Sequence, residues 1–267
     1  MKRHVSATLD IEVTDATSLE FKIAVARTPG SELSESLTFT LDGNRVEARE
    51  MVAEHGTRVH LLDSAPGSLH VEYSASVLGK ADSPPVTDYD LSKYLRPSRY
   101  AEADKFFGFT GGEFNLSKPH PELLQDITTW VGSRLLYQAG SSRSTDSAVD
   151  TMLSGAGVCR DFAHLTVALL RAVTIPARLV AVYAPGCDPM DFHAVVEAFV
   201  DDEWRVVDAT RLAPRSALLR IATGRDAADT AFLDNHGGAI TLENTVVTAV
   251  VDGEFPYDDY ATPTSLT

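Results

Sequence analysis

The sequence predicts an α+β fold in which an N-terminal β-sandwich is followed by helices packed on an antiparallel sheet. Three observations carry this reading. Apolar residues alternate with period two from Met1 to about Val77, the period lengthens to 3.6 further on, and the change falls at Gly79-Lys80-Ala81-Asp82-Ser83-Pro84-Pro85, a stretch of linker composition. The expected division is therefore 1–80 for the β-sandwich domain and 81–267 for the second domain.

The first strands follow from alternation: Val5, Ala7, Leu9, Ile11 and Val13; then Leu19, Phe21, Ile23 and Val25; then Leu37, Phe39 and Leu41. Asp42-Gly43 marks a hairpin turn, and Leu69, Val71, Tyr73, Ala75 and Val77 form another half-buried strand after Pro66-Gly67. Short strands separated by turn signals suggest a sandwich. His55, His60 and His70 are dispersed along this part and form no ligand cluster.

Helices are expected from Pro97 to Phe107, from Pro121 at a first-turn position through Leu136, and from Ala148 to Leu153. A strongly apolar helix then begins near Cys159 and is stopped before Pro176. Ala177 to Tyr183 reads as a strand, Ala184 to Pro189 as a loop, and Val195 to Val200 with Trp204 to Val207 as two strands turning at Asp201-Asp202. Beyond Thr210, the basic run Arg211 to Arg225 is expected to wrap this core, the strand Thr245 to Val251 to return to its sheet, and the tail from Pro256 to be loose.

Composition narrows the function classes. The 267 residues are 44% hydrophobic and 23% charged, with no apolar run of membrane-spanning length. A formal net charge of −15 argues against nucleic acid and against anionic membrane as partners. The start, Met1 to Asp10, lacks a continuous apolar stretch and reads as no signal peptide. Two cysteines, Cys159 and Cys187, are too few for a disulfide framework or a structural zinc site, so a reduced, cytoplasmic setting is expected.

The chemistry concentrates at Gly155-Ala156-Gly157-Val158-Cys159-Arg160-Asp161-Phe162-Ala163-His164. A glycine-rich turn delivers Cys159 to a helix N-terminus, where the macrodipole and unpaired N–H groups favour a thiolate and can hold an oxyanion. His193 and Asp208 follow in order. If Val200 faces Glu203 across the turn, Val195 faces Asp208, and His193 and Asp208 become diagonal neighbours on one face. His164 ranks below His193 as a base because it lies five residues along the same helix. Asp161 complements the helix dipole, Glu197 shares the face of His193, and Cys187 is incidental. Side-chain oxyanion donors are Tyr137 or Trp130.

These residues resemble the transglutaminase-like superfamily of cysteine enzymes, in particular bacterial members with an N-terminal β domain. The resemblance covers Gly157 to His164, Ile175-Pro176-Ala177-Arg178 with Tyr183, Phe192-His193-Ala194 with Glu197, and Trp204 with Asp208-Ala209-Thr210. Tyr94 to Tyr100 and Gly224 to Asp229 are looser echoes. It implies a papain-like transglutaminase core and gives Cys159, His193 and Asp208 the triad positions. Some relatives are calcium-dependent, but the acidic residues form no EF-hand loop, so no metal and no other cofactor is expected. The implied activity is acyl transfer through a thioester on Cys159, with a peptide or protein as substrate. Hydrolysis of a peptide or amide bond is favoured; the alternatives are a protein-glutamine transglutaminase and a non-catalytic binding protein on the same core. The preference rests on Val195, where many relatives carry tryptophan, a smaller side chain being expected to leave the site open to water. The oligomeric state is not legible.

Overall fold

Strand-forming alternation is realised as buried and exposed faces in the first half of the chain. The computed structural model describes residues 1–83 and 85–267; Pro84, within the expected linker, lies outside the described residues. Seven strands come first: β1 (Lys2–Asp15), β2 (Thr17–Phe21), β3 (Glu32–Leu41), β4 (Asn44–Val46), β5 (Arg49–Val52), β6 (Arg58–Ser64) and β7 (Gly67–Leu78). Helices α1 (Asp88–Lys93), α2 (Phe107–Glu113) and α3 (His120–Arg134) follow, then β8 (Leu136–Tyr137), α4 (Ala148–Ser154), β9 (Ala156–Gly157) and α5 (Cys159–Ala172). The rest is β10 (Ala177–Tyr183), β11 (Phe192–Val200), β12 (Glu203–Val207), β13 (Leu219–Gly224), α6 (Ala227–Thr230), β14 (Leu233–His236) and β15 (Ala239–Asp252).

The result is a mixed α and β fold on antiparallel sheets. One has the order β15-β1-β7-β3-β4, a second β14-β2-β6-β5, and a third, which carries the candidate site, β12-β11-β10-β13. In β1 the alternation buries Val5, Ala7, Leu9, Ile11 and Val13 against Phe21, Val71 and Tyr73. Asp201 and Asp202, at φ 52° and 59°, make the two-residue turn between β11 and β12, the left-handed pair that matches strand twist.

Several expectations need correction. Residues 97–107 do not form one helix, because the chain turns on itself where the Ser98 N–H donates to the Ala101 carbonyl and only short helical turns follow. The strand containing Thr245 to Val251 does not return to the core sheet; β15 pairs with β1, Val247 opposite Ala7 and Ala249 opposite Val5. Within the basic run, Leu219 to Gly224 is a strand paired with β10. The C-terminal tail is anchored: Leu266 is buried, the Val206 N–H donates to the Thr264 carbonyl at 2.8 Å, and Arg215 pairs with Asp258 at 2.8 Å.

Helix α5 packs one face of the core sheet, with Leu165, Val167, Leu169 and Leu170 fully buried against residues such as Leu179, Val196 and Ala198. Each such side chain contributes about 1.5–3 kcal/mol of burial, enough to hold the N-terminus of α5 in a fixed place. Val180, Val182, Val195 and Val206 pack the other face with Leu218 and Leu266. The N-terminal strands join the core through hydrogen bonds from the Tyr183 hydroxyl to the Ile23 carbonyl at 2.7 Å and from the Ala26 N–H to the Arg220 carbonyl at 2.8 Å.

Candidate active site

Cys159 reaches its position through three backbone devices. Gly155, at φ +68°, ends α4 in the left-handed conformation. Ala156 and Gly157 then bridge Leu136 and Tyr137 in parallel, and Cys159 opens α5 one residue after its cap, Val158. The Asp161 side chain folds back to accept from the Val158 N–H at 2.8 Å, so it caps the helix as well as complementing its dipole. A Cβ on Gly157 would lie 2.6 Å from Asp161 Cβ, which is why glycine stands there. Arg160 donates to Ser142 Oγ at 2.6 Å, tying the preceding loop to the same turn. Cys159 itself is half-buried.

His193 opens β11 and Asp208 lies one residue past β12, in the register the turn dictates, with Val200 opposite Glu203 and Val196 opposite Val207. Both side chains are buried, and His193 Nε2 donates to Asp208 Oδ2 at 2.8 Å. Asp208 Oδ1 accepts from the Thr210 N–H at 2.9 Å and its hydroxyl at 2.6 Å, which fixes the carboxylate plane. Burial by itself would depress the imidazole pKa, yet the Asp208 charge and hydrogen bond, reinforced by Cys159, hold it well above its ordinary value. Burial likewise pushes the Asp208 carboxyl up, and the His193 charge, its hydrogen bond and Thr210 together bring it below the ordinary value. His193 Nδ1 is buried and meets no hydrogen-bond partner among the described residues. That nitrogen is the one turned away from Asp208, and Cys159 is among the groups that raise the ring's pKa.

The two shifts set a pH window. A raised His193 contributes stability fully below its ordinary pKa of 6.5 and loses it as pH climbs through the higher folded value; a lowered Asp208 contributes fully above 3.8 and loses it as pH falls. The stability difference between wild type and Asp208→Asn, measured by urea denaturation, is therefore expected to be greatest between about pH 4 and 6.5 and to shrink on both sides. A difference that keeps growing above pH 7 would contradict the assignment.

Of the two side-chain oxyanion candidates, Tyr137 is the one beside Cys159. Its hydroxyl pKa is raised by partial burial and then by charge at Cys159 and Cys187, while the Cys159 N–H lies against the phenol oxygen and opposes the shift. Trp130 is excluded because its Nε1 donates to Glu113 at 2.7 Å within a cluster with Phe109 and Phe114. His164 is fully buried, accepts from the Ala227 N–H at 3.1 Å and stacks on Tyr100; burial, with Arg160 and Arg171, pushes its pKa down to about 3. Glu197 binds Arg178 and Arg220 and does not reach His193. Cys187 packs with Val195, and burial raises its thiol pKa against the pull of His193. Val195 is 1% exposed, so it lines the core and the opening argued from its small size is not there. Sequence reasoning gave Thr210 no role, although an acid followed two residues later by threonine is a turn in which the carboxylate takes the later N–H. Among the described residues no three His, Cys, Asp or Glu side chains converge as a metal-binding group.

Comparisons with known proteins give this geometry a family. The family model described as transglutaminase-like superfamily matches residues 110–209, which include Cys159, His193 and Asp208. The crystal structure of a candidate cysteine protease from Cytophaga hutchinsonii is 32% identical and superposes with a TM-score of 0.88, over 100% of this chain and 98% of that one. An uncharacterized protein of Mycobacterium tuberculosis strain H37Rv is 28% identical over 204 residues, 70% of this chain and 58% of its own length. One from Mycobacterium leprae is 26% identical over 151 residues, 54% of each. The chain thus spans about half the length of the curated relatives it matches. Full-length likeness at 32% identity, joined to the family match over the Cys159 to Asp208 segment, identifies the chain as a member of the transglutaminase-like superfamily.

Proposed function

We propose that the chain is a cysteine-dependent acyl-transfer enzyme that hydrolyses a peptide or amide bond. The observation that carries this reading is the buried His193–Asp208 pair at 2.8 Å, whose second ring nitrogen has no hydrogen-bond partner among the described residues, together with Cys159, which opens α5 and helps to raise the pKa of the ring. In this reading His193 Nδ1 draws the proton from Cys159 Sγ, Asp208 and Thr210 hold the imidazole and stabilise its charged form, and the thiolate attacks the carbonyl. The backbone N–H of Cys159 and the Tyr137 hydroxyl hold the oxyanion; collapse expels the amine with the proton from His193 and leaves a thioester. Water, deprotonated by the same imidazole, then releases the acid.

Hydrolysis is preferred because Cys159 is half-buried and Tyr137 is 44% exposed, so water has access. It also fits the name given to the Cytophaga hutchinsonii relative. A buried, hydrogen-bonded His193–Asp208 pair is an arrangement a binding protein would not need, which supports an enzyme over a non-catalytic core. We further propose a β-sandwich built from 1–80 together with β14 and β15, the catalytic part occupying the intervening chain, a peptide or protein substrate, a cytoplasmic setting, and neither nucleic acid nor membrane as partner.

The test supplies an activated peptide ester with a labelled primary amine at millimolar concentration and follows both products. Free acid is expected to predominate and to disappear in Cys159→Ala. Predominant amine adduct, equally dependent on Cys159, would make the enzyme a transglutaminase.

A further inference from the structure

A cavity of about 440 Å³ lies where the N-terminal strands meet the core, away from Cys159, His193 and Asp208. Its walls include Val25, Val77, Leu218 and Leu266, and Arg3 lines it. Arg3 is 1% exposed. Its guanidinium donates to the Leu218 carbonyl at 3.2 Å and to the Gly79 carbonyl, while Nε meets no acceptor among the described residues. Among the described residues its guanidinium forms no ion pair, the partners being carbonyl oxygens. The other arginines lining the cavity are already neutralised, Arg27 by Glu50 at 3.0 Å and Arg220 by Glu197 at 2.6 Å. Asp82 on the wall is exposed, Thr267, the last residue, lines the cavity as well, and neither forms an ion pair with Arg3.

An arginine keeps its charge at any working pH, and a buried charge is ordinarily paired with an opposite one. Two carbonyls supply dipoles, not a counter-charge. We propose that this cavity binds a small molecule that has an apolar body and ends in a carboxylate, the carboxylate pairing with Arg3 and the body lying against Val25, Val77, Leu218 and Leu266. The planar guanidinium suits a carboxylate, which can accept two parallel N–H bonds. The volume lies within the range of small-molecule sites, which are mostly apolar with few polar groups. A free carboxylic acid and the C-terminus of a short apolar peptide share this chemistry.

The experiment is an NMR titration of the ¹⁵N-labelled full chain, reading the Arg3 Nε–H resonance and the amides of Val25, Val77 and Leu218. Probes are hexanoate, N-acetyl-leucyl-leucine, hexanol and inorganic phosphate. Hexanoate or the peptide acid is expected to shift all four signals saturably and at least about tenfold more tightly than hexanol or phosphate, a charge-assisted hydrogen bond being worth that much. The preferred probe shows whether the source is a free acid or a peptide terminus. Arg3→Gln, if its thermal unfolding stays cooperative, is expected to weaken hexanoate by about tenfold; the wild-type resonances decide the matter should that variant not fold. No saturable shift with either acid, equal binding of hexanol, or binding of phosphate as an adventitious ion only would overturn the proposal.

Discussion

Cys159→Ala is expected to lower turnover on the order of 10⁵-fold or more, the scale of losing a nucleophile that acts as one unit with its base. The side chain is small, half-buried and at the first position of α5, so thermal unfolding should change by no more than about 0.5 kcal/mol. His193→Ala is expected to match that loss of activity. It also costs about 1–3 kcal/mol of stability, because the buried Asp208 carboxylate loses its partner. Asp208→Asn should be milder, about 10⁴-fold, since the imidazole is left in place with its orientation and charge less well supported. Alkylation needs no substrate and checks the same assignment. Iodoacetamide at pH 7 should label Cys159 in preference to Cys187, whose thiol pKa burial pushes up, and the rate should fall in His193→Ala. Labelling of Cys159 unchanged by loss of His193 would remove the imidazole from the base role.

How far the sequence carried depends on whether local pattern or distant pairing sets each feature. The β11–β12 hairpin was legible because Asp201 and Asp202 can adopt positive φ and the flanking alternation admits one register. From that register alone, His193 and Asp208 become neighbours. The helix start at Cys159 was legible for the same reason, since glycines and an acid at the third helical residue act over a single turn, whereas the return of the Asp161 carboxylate to the Val158 N–H was not read. What was missed is long-range. Nothing local in Thr245 to Val251 says whether it joins the core sheet or pairs with β1, more than 230 residues away in sequence. Polar and basic side chains disguised β13, because its Arg220 is buried by pairing with Glu197 and so breaks the apolar pattern a strand reading needs. Val195 was misread for a related reason: its face of the sheet is covered by Leu218 and Leu266, both supplied by later chain.

Glu197→Gln is expected to give the largest stability loss of any single polar substitution here. Glu197 is fully buried and accepts from Arg178 Nε at 2.7 Å and from Arg220 at 3.0 and 2.6 Å, with Arg178 lying 3.9 Å above the Trp204 ring. Burial alone would raise its carboxyl pKa, but the charges of Arg220 and Arg178 override it and hold the value at about 2. Glutamine keeps the shape and removes the charge. Two guanidiniums then remain buried without an anion, a loss of about 3–5 kcal/mol. Because the folded pKa is depressed from 4.5 to about 2, the contribution is complete above pH 4.5 and disappears as pH falls toward 2. Urea denaturation of wild type and Glu197→Gln should therefore differ most at neutral pH and converge in acid. A difference below about 1 kcal/mol at pH 7 would mean that the desolvation of the three ions nearly cancels their attraction. The same variant separates structure from chemistry: Glu197 lies four residues beyond His193 on β11 and does not touch it, so the alkylation rate of Cys159 per folded molecule should stay near wild type at low temperature.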